Sequence, residues 1–160
     1  METYLFDTNI WSKWFRQEPS ITEKIAQIDK ASKIFLSSIV WGEAIYGANV
    51  NKKNVDKKFD LKSYSDFIHK SKPIILPIDE NVADIYGELR ASLFEQYFRK
   101  GKKRPEQLID PLTATEIGID ENDLWIVAQA VTHNLTLVTN DKMRRIFTVT
   151  PKELKHEIWQ

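Results

Sequence analysis

The sequence predicts an α/β protein, a three-layer α/β/α sandwich around a mostly parallel sheet of four to five strands. Three observations lead there. Short β-rich apolar runs alternate with longer stretches whose apolar residues recur at helical spacing. The runs are apolar almost throughout, as strands are when helices cover both faces of a parallel sheet. Two of them, "YLFDTN" (Tyr4 to Asn9) and "TLVTND" (Thr136 to Asp141), end on an aspartate, at the strand ends where open α/β sheets hold their ligands.

Taken in order, Tyr4 to Phe6 is the first strand. Trp11, Trp14 and Phe15 follow it, open to three readings: core, a dimer surface or a partner contact. Ile21, Ile25 and Ile28 mark a helix. Ile34 to Val40 reads as the second strand, which places Glu43 on the first turn of the next helix. Lys52 to Lys72 is helical, with Val55, Phe59, Tyr64 and Phe67 on its buried side. Pro73 to Ile78 is the third strand. Val82, Ile85, Leu89, Leu93 and Tyr97 then line one face of a helix. Arg99 to Gly118 opens basic, holds two prolines and reads as a loop or short excursion. Asp123 to Val131 is apolar nearly all round, a helix packed deep against the sheet with Trp125 in the core. Leu135 to Thr139 is the last clear strand.

Composition sets limits. The chain of 160 residues suits one domain able to bury a real core. With 42% hydrophobic and 29% charged residues it is globular in character. There is no cysteine, which excludes a disulfide framework and a thiolate zinc site and fits a reducing cytoplasm. No signal-peptide or membrane-spanning pattern is present. The net charge is zero, so any nucleic-acid partner must be held by a local patch.

Asp7, Glu43, Asp123 and Asp141 all fall at the carboxyl edge of the predicted sheet, with Asp120 and Glu121 nearby. Each also has an ordinary explanation. Asp7 and Asp141 suit turns, Glu43 suits a helix N-terminus, and Asp120 suits a cap with Asp123 reaching back to it. Together they say more. Carboxylates gathered in one place repel, which raises their proton affinity and lowers stability unless a cation neutralises them. A site of oxygen donors alone points to Mg²⁺ or Mn²⁺. His69, His133 and His156 show no paired ligand spacing, and no phosphate-cradling glycine motif appears, so a nucleotide cofactor is not expected. A hard divalent ion without a protein nucleophile suits water attack on a phosphodiester.

"YLFDTN", "SSIVWGEAIYGA" (Ser37 to Ala48), "ENDLWIVAQA" (Glu121 to Ala130) and "LTLVTND" (Leu135 to Asp141) together resemble PIN-domain ribonucleases, and more narrowly the VapC toxins of toxin–antitoxin pairs. "YGELRASLF" (Tyr86 to Phe94) and "LKHEIW" (Leu154 to Trp159) resemble that group's middle helix and last strand. The resemblance spans nearly the whole chain as one domain, residues 1–160. It implies that Asp7, Glu43 and Asp123 bind metal and serve catalysis, with Asp141 completing the set. It further implies that Asn9 and Thr139 orient neighbouring carboxylates or metal waters. It also implies RNA as substrate, a homodimer, and a small VapB-type antitoxin whose tail enters the active-site groove. The departure is the stretch of about 99–118, which is longer than the short glycine-containing connection usual in the family and bears on substrate choice.

"RKGKKR" carries five positive charges in six residues. Arg99, Lys100, Lys102, Lys103 and Arg104 suit either RNA phosphates or a solvated helix end. Arg144 and Arg145, just after Asp141, have the same two readings. The alternative to an enzyme is a non-catalytic cation-binding or RNA-binding module on the same fold. A phosphatase of the haloacid dehalogenase type would need a second aspartate where Asn9 stands.

Overall fold

The computed structural model describes residues 2–51, 60–98 and 119–160. Along the chain these form β1 (Thr3–Phe6), α1 (Thr8–Phe15), α2 (Pro19–Gln27), β2 (Lys33–Ser37), α3 (Ser38–Asn51), α4 (Leu61–Ser71), β3 (Ile74–Leu76), α5 (Glu80–Phe98), α6 (Glu121–Thr132), β4 (Thr136–Thr139), α7 (Arg144–Phe147) and β5 (His156–Ile158). The five strands make one sheet in the order β3-β2-β1-β4-β5, every pair parallel. The expected α/β/α sandwich is what the chain forms.

Burial along β1 shows why the sheet needs helices on both sides. Tyr4, Leu5 and Phe6 are consecutive and all buried, yet neighbouring residues of a strand point to opposite faces. The edge strands β3 and β5 have three residues each, and short edges limit unwanted pairing.

The strand order reverses direction at β1, which lies between β2 and β4. Such a switch point opens a crevice at the carboxyl ends of the two central strands. Register holds it in place: the Asp7 N–H donates to the Val138 carbonyl at 3.0 Å, and the Trp159 N–H donates to the Thr139 carbonyl at 2.8 Å.

The core joins Leu5 and Phe6 of β1, Leu36 of β2 and Leu137 and Val138 of β4 to the buried face of α6. In α6, Leu124, Ile126, Val127, Ala128, Gln129 and Ala130 are buried, as its all-round apolar pattern requires. Trp125 packs against this core as a half-buried residue and stacks flat on Tyr86, centroids 3.6 Å apart. The aromatics after β1 belong to the core. Trp11 is fully buried, and Trp14 and Phe15 meet Phe67 of α4 at 5.1 and 5.5 Å.

Three boundaries differ from expectation. The second strand stops at Ser37 rather than Val40 because the Ser37 hydroxyl accepts from the Ile39 N–H at 3.0 Å and starts α3. Glu43 therefore sits on the second turn of that helix, not the first. Ile28 has extended backbone and ends α2 instead of continuing it. Within the helix expected over 52–72, the described part begins where Asp60 caps the N–H groups of Lys62 and Ser63, with Tyr64 and Ile68 as its buried residues. Val55 and Phe59 lie outside the described residues, as does the 99–118 segment with Arg99, Lys100, Lys102, Lys103 and Arg104.

Candidate active site

Asp7 is buried at the end of β1 and does two things at once. It caps α1, one carboxylate oxygen (Oδ1) accepting from the Ile10 N–H at 2.8 Å. The other oxygen, Oδ2, accepts from the Thr139 hydroxyl at 2.5 Å. The turn explanation and the site explanation are thus compatible, because the cap fixes the carboxylate at the mouth of the crevice. Thr139, at the end of β4, also accepts from the Asp141 N–H at 2.9 Å. Its hydroxyl ties the ends of the two central strands together and orients Asp7. Asp141 turns the chain, its side chain accepting from the Met143 N–H at 3.3 Å.

Glu43 reaches the same region from α3. One oxygen accepts from the Thr8 hydroxyl and the other from the Asn122 amide at 2.8 Å. Thr8 and Asn122 had not been singled out by sequence reasoning. Each stands beside a candidate acid, Thr8 after Asp7 and Asn122 before Asp123, and that adjacency was the available signal. Asp123 is on the first turn of α6. Asp120 is the N-cap of that helix, accepting from the Asn122 N–H at 2.7 Å.

The acids feel one another. Burial pushes the Asp123 carboxyl up to about 7, helped by the negative charges of Asp120, Asp7, Asp141 and Glu43. Burial also raises Asp7, opposed by its bonds from Thr139 and from the Ile10 and Asn9 N–H groups and assisted by Asp141. Residues far apart in the chain therefore share one electrostatic environment at the switch point.

Other residues fall differently. Glu121, a nearby spare by sequence, is engaged by Arg90 and by the Tyr86 hydroxyl. Asn9 is exposed on α1, with its backbone N–H directed to Asp7. Arg145 lies over the Tyr97 ring, 5.7 Å from its centroid, while Arg144 is exposed. His69, His133 and His156 are exposed.

The donor chemistry, carboxylate oxygens from four elements with mutual repulsion, fits a hard divalent cation. The spacing is looser than a closed ligand shell. Among the described residues, no group of three or more aspartates, glutamates or histidines stands close enough to grip one ion. Glu43 is held by Thr8 and Asn122 and Asp7 by Ile10 and Thr139, yet each oxygen so engaged retains a second lone pair for another partner.

Comparison with known proteins identifies the fold. The family model described as PIN domain matches residues 4–148. Ribonuclease VapC2 of Rickettsia felis is 32% identical over 139 residues, 86% of each chain. Among solved structures, VapBC2 from Rickettsia felis bound to a DNA fragment from its promoter is similar with a TM-score of 0.69 at 31% identity, covering 99% of both chains. VapBC-1 from nontypeable Haemophilus influenzae shares the fold, with a TM-score of 0.66 at 23% identity over 98% of both chains. The chain belongs to the PIN-domain family, in its VapC branch.

Proposed function

We propose that this protein is a divalent-metal-dependent endoribonuclease, the toxin of a VapBC-type pair. The observation that carries the reading is the match of the PIN-domain model to residues 4–148 and of a ribonuclease at 32% identity, in a chain that sets Asp7 at the end of β1 and Asp123 on the first turn of α6. Like charges near a buried carboxylate such as Asp7 are destabilising on their own and useful around a cation.

In this reading Asp7 and Asp123 hold the ion, Glu43 joins them, and Asp141 closes the site. When bound there, Mg²⁺ or Mn²⁺ supplies the Lewis acidity that activates water and neutralises the attacked phosphate. The chain's own residues prepare the ground. Thr139 fixes the Asp7 oxygen by its 2.5 Å bond, and Thr8 and Asn122 aim Glu43. With a carboxyl near neutrality, Asp123 is ready to exchange a proton for a cation at physiological pH.

The partner assigned is a VapB-type antitoxin, supported by the 31%-identical relative solved as a VapBC complex. A homodimer and a cytoplasmic location go with the reading. Among the described residues no helix is long and apolar enough to cross a membrane. A second reading, a non-catalytic cation-binding or RNA-binding module, is favoured by one observation: no three donors among the described residues yet stand within reach of one ion.

Cleavage of labelled RNA by the purified chain separates the two. The enzyme reading expects cutting that needs Mg²⁺ or Mn²⁺, stops with chelator, and is lost in Asp7→Asn with the helical circular dichroism intact. Metal-dependent stabilisation without cutting of any RNA offered would select the module.

A further inference from the structure

Two helices are locked together just beside the candidate acids. On α5, Tyr86 and Arg90 stand four residues apart, and on α6 Glu121 and Trp125 do the same, so each pair lies on one face of its helix. Trp125 stacks flat on Tyr86, ring centroids 3.6 Å apart and planes 2° from parallel. Arg90 donates to a Glu121 carboxylate oxygen, and the Tyr86 hydroxyl donates to the same oxygen. The Arg90 guanidinium also lies 5.7 Å from the centre of the Tyr86 ring. All four side chains are half-buried, close enough to water that one ion pair adds little stability of its own. The contact is better suited to fixing a position.

What it fixes is the first turn of α6. The body of that helix is anchored by its buried residues from Leu124 onward. Glu121, Asn122 and Asp123 are only half-buried, in the turn whose backbone N–H groups have no partners within the helix. The Asp120 cap bonds the Asn122 N–H of the same turn and so moves with it. Contacts to other elements must hold it still. Glu121 is tied to α5, and Asn122 donates to Glu43 of α3 at 2.8 Å. At 3.6 residues per turn, Asp123 stands about 160° around the helix from both Glu121 and Trp125. Holding those two against α5 therefore sets the direction Asp123 faces on the other side. A twist of about 20° in this turn would carry a side-chain tip ~5 Å from the axis by ~2 Å, and a displacement of about 1 Å at a reacting centre can cost about a hundredfold in rate.

From this placement we infer that Arg90 is a positioning residue for the candidate site: through Glu121 it holds the first turn of α6, and with it Asp123 and the Asn122 that aims Glu43. Arg90 touches neither ion nor RNA. The inference rests on the metal-dependent ribonuclease reading and adds to it a cation outside the acid set.

The test measures Mn²⁺ affinity of the full-length chain by calorimetry and, separately, kcat and KM on a labelled RNA. Arg90→Met keeps the aliphatic stem and removes the charge. It is expected to weaken Mn²⁺ binding about 10–100-fold and to lower kcat while KM for RNA stays near the wild-type value. Its melting temperature should fall by only about 2–4 °C. Should Arg90→Met fail to fold, Glu121→Gln, nearly the same shape without the charge, carries the test with the same expected losses. The exchange Arg90→Glu with Glu121→Arg should regain most of the lost affinity, which neither single reversal does. If the charge-removing variants bind Mn²⁺ and cut RNA as the wild type does, the pair only joins two helices and this inference is overturned, with the ribonuclease reading untouched. If the wild type cuts no RNA while the variants still weaken Mn²⁺ binding, the ribonuclease reading falls and the positioning of the cation site stands. A wild type that binds no Mn²⁺ removes both.

Discussion

Replacing Asp123 by asparagine should stabilise the metal-free protein, and only above a definite pH. The folded carboxyl is raised from 3.8 to about 7, first by burial and then by Asp120, Asp7, Asp141 and Glu43. A folded-state value above the unfolded one means the charged form is disfavoured in the fold. The penalty is therefore absent below about pH 4, grows as pH rises toward 7, and is fully present above it. Unscreened, that displacement corresponds to about 4 kcal/mol at ~1.4 kcal/mol per tenfold change in proton affinity. Asp123 is only half-buried, and water screens part of the repulsion, leaving about 1–2 kcal/mol. Asparagine has nearly the same shape and no charge. In chelator at pH 8 the variant should melt about 2–8 °C higher than the wild type, and at pH 4.5 the gap should shrink to roughly a quarter of that. The assay is thermal unfolding by circular dichroism at both pH values. A variant destabilised equally at both would refute the reasoning, since it would make Asp123 a structural partner instead of a member of a repelling cluster.

Further outcomes follow from the same geometry. Mn²⁺ affinity measured by calorimetry should weaken as pH falls below about 7, because the ion must displace the Asp123 proton; a pH-independent affinity between 5 and 8 would contradict it. Thr139→Val removes both the 2.5 Å donor to Asp7 and the acceptor for the Asp141 N–H, and should cost about 1–3 kcal/mol in urea unfolding. Thr8→Val combined with Asn122→Ala frees Glu43 and should weaken divalent-ion binding about 10–100-fold while leaving the melting profile near that of wild type.

Much of the architecture was legible because it rests on patterns that tertiary context rarely overrides. The consecutive apolar residues of β1 and β4 and the all-round apolar face of α6 demand a covered parallel sheet. The position of Asp7 and Asp141 just past the ends of β1 and β4 was legible for the same reason, since parallel strands end on one edge of the sheet. What failed was local. The run "IVW" after Ser37 suits strand and helix equally by composition, and a serine cap decided it for helix, moving Glu43 by a turn. Thr8, Asn122 and the Arg90–Glu121 pair act through contacts between elements 31 to 79 residues apart, which no local pattern announces.

The most direct test is an anomalous-scattering map from crystals grown with Mn²⁺ and no chelator. The account predicts one peak in the crevice between the ends of β1 and β4, about 2.0–2.3 Å from oxygens of Asp7 and Asp123, with Glu43 or Asp141 turned toward it. Crystals that show manganese only elsewhere, from a preparation that still cuts RNA in chelator, would contradict it.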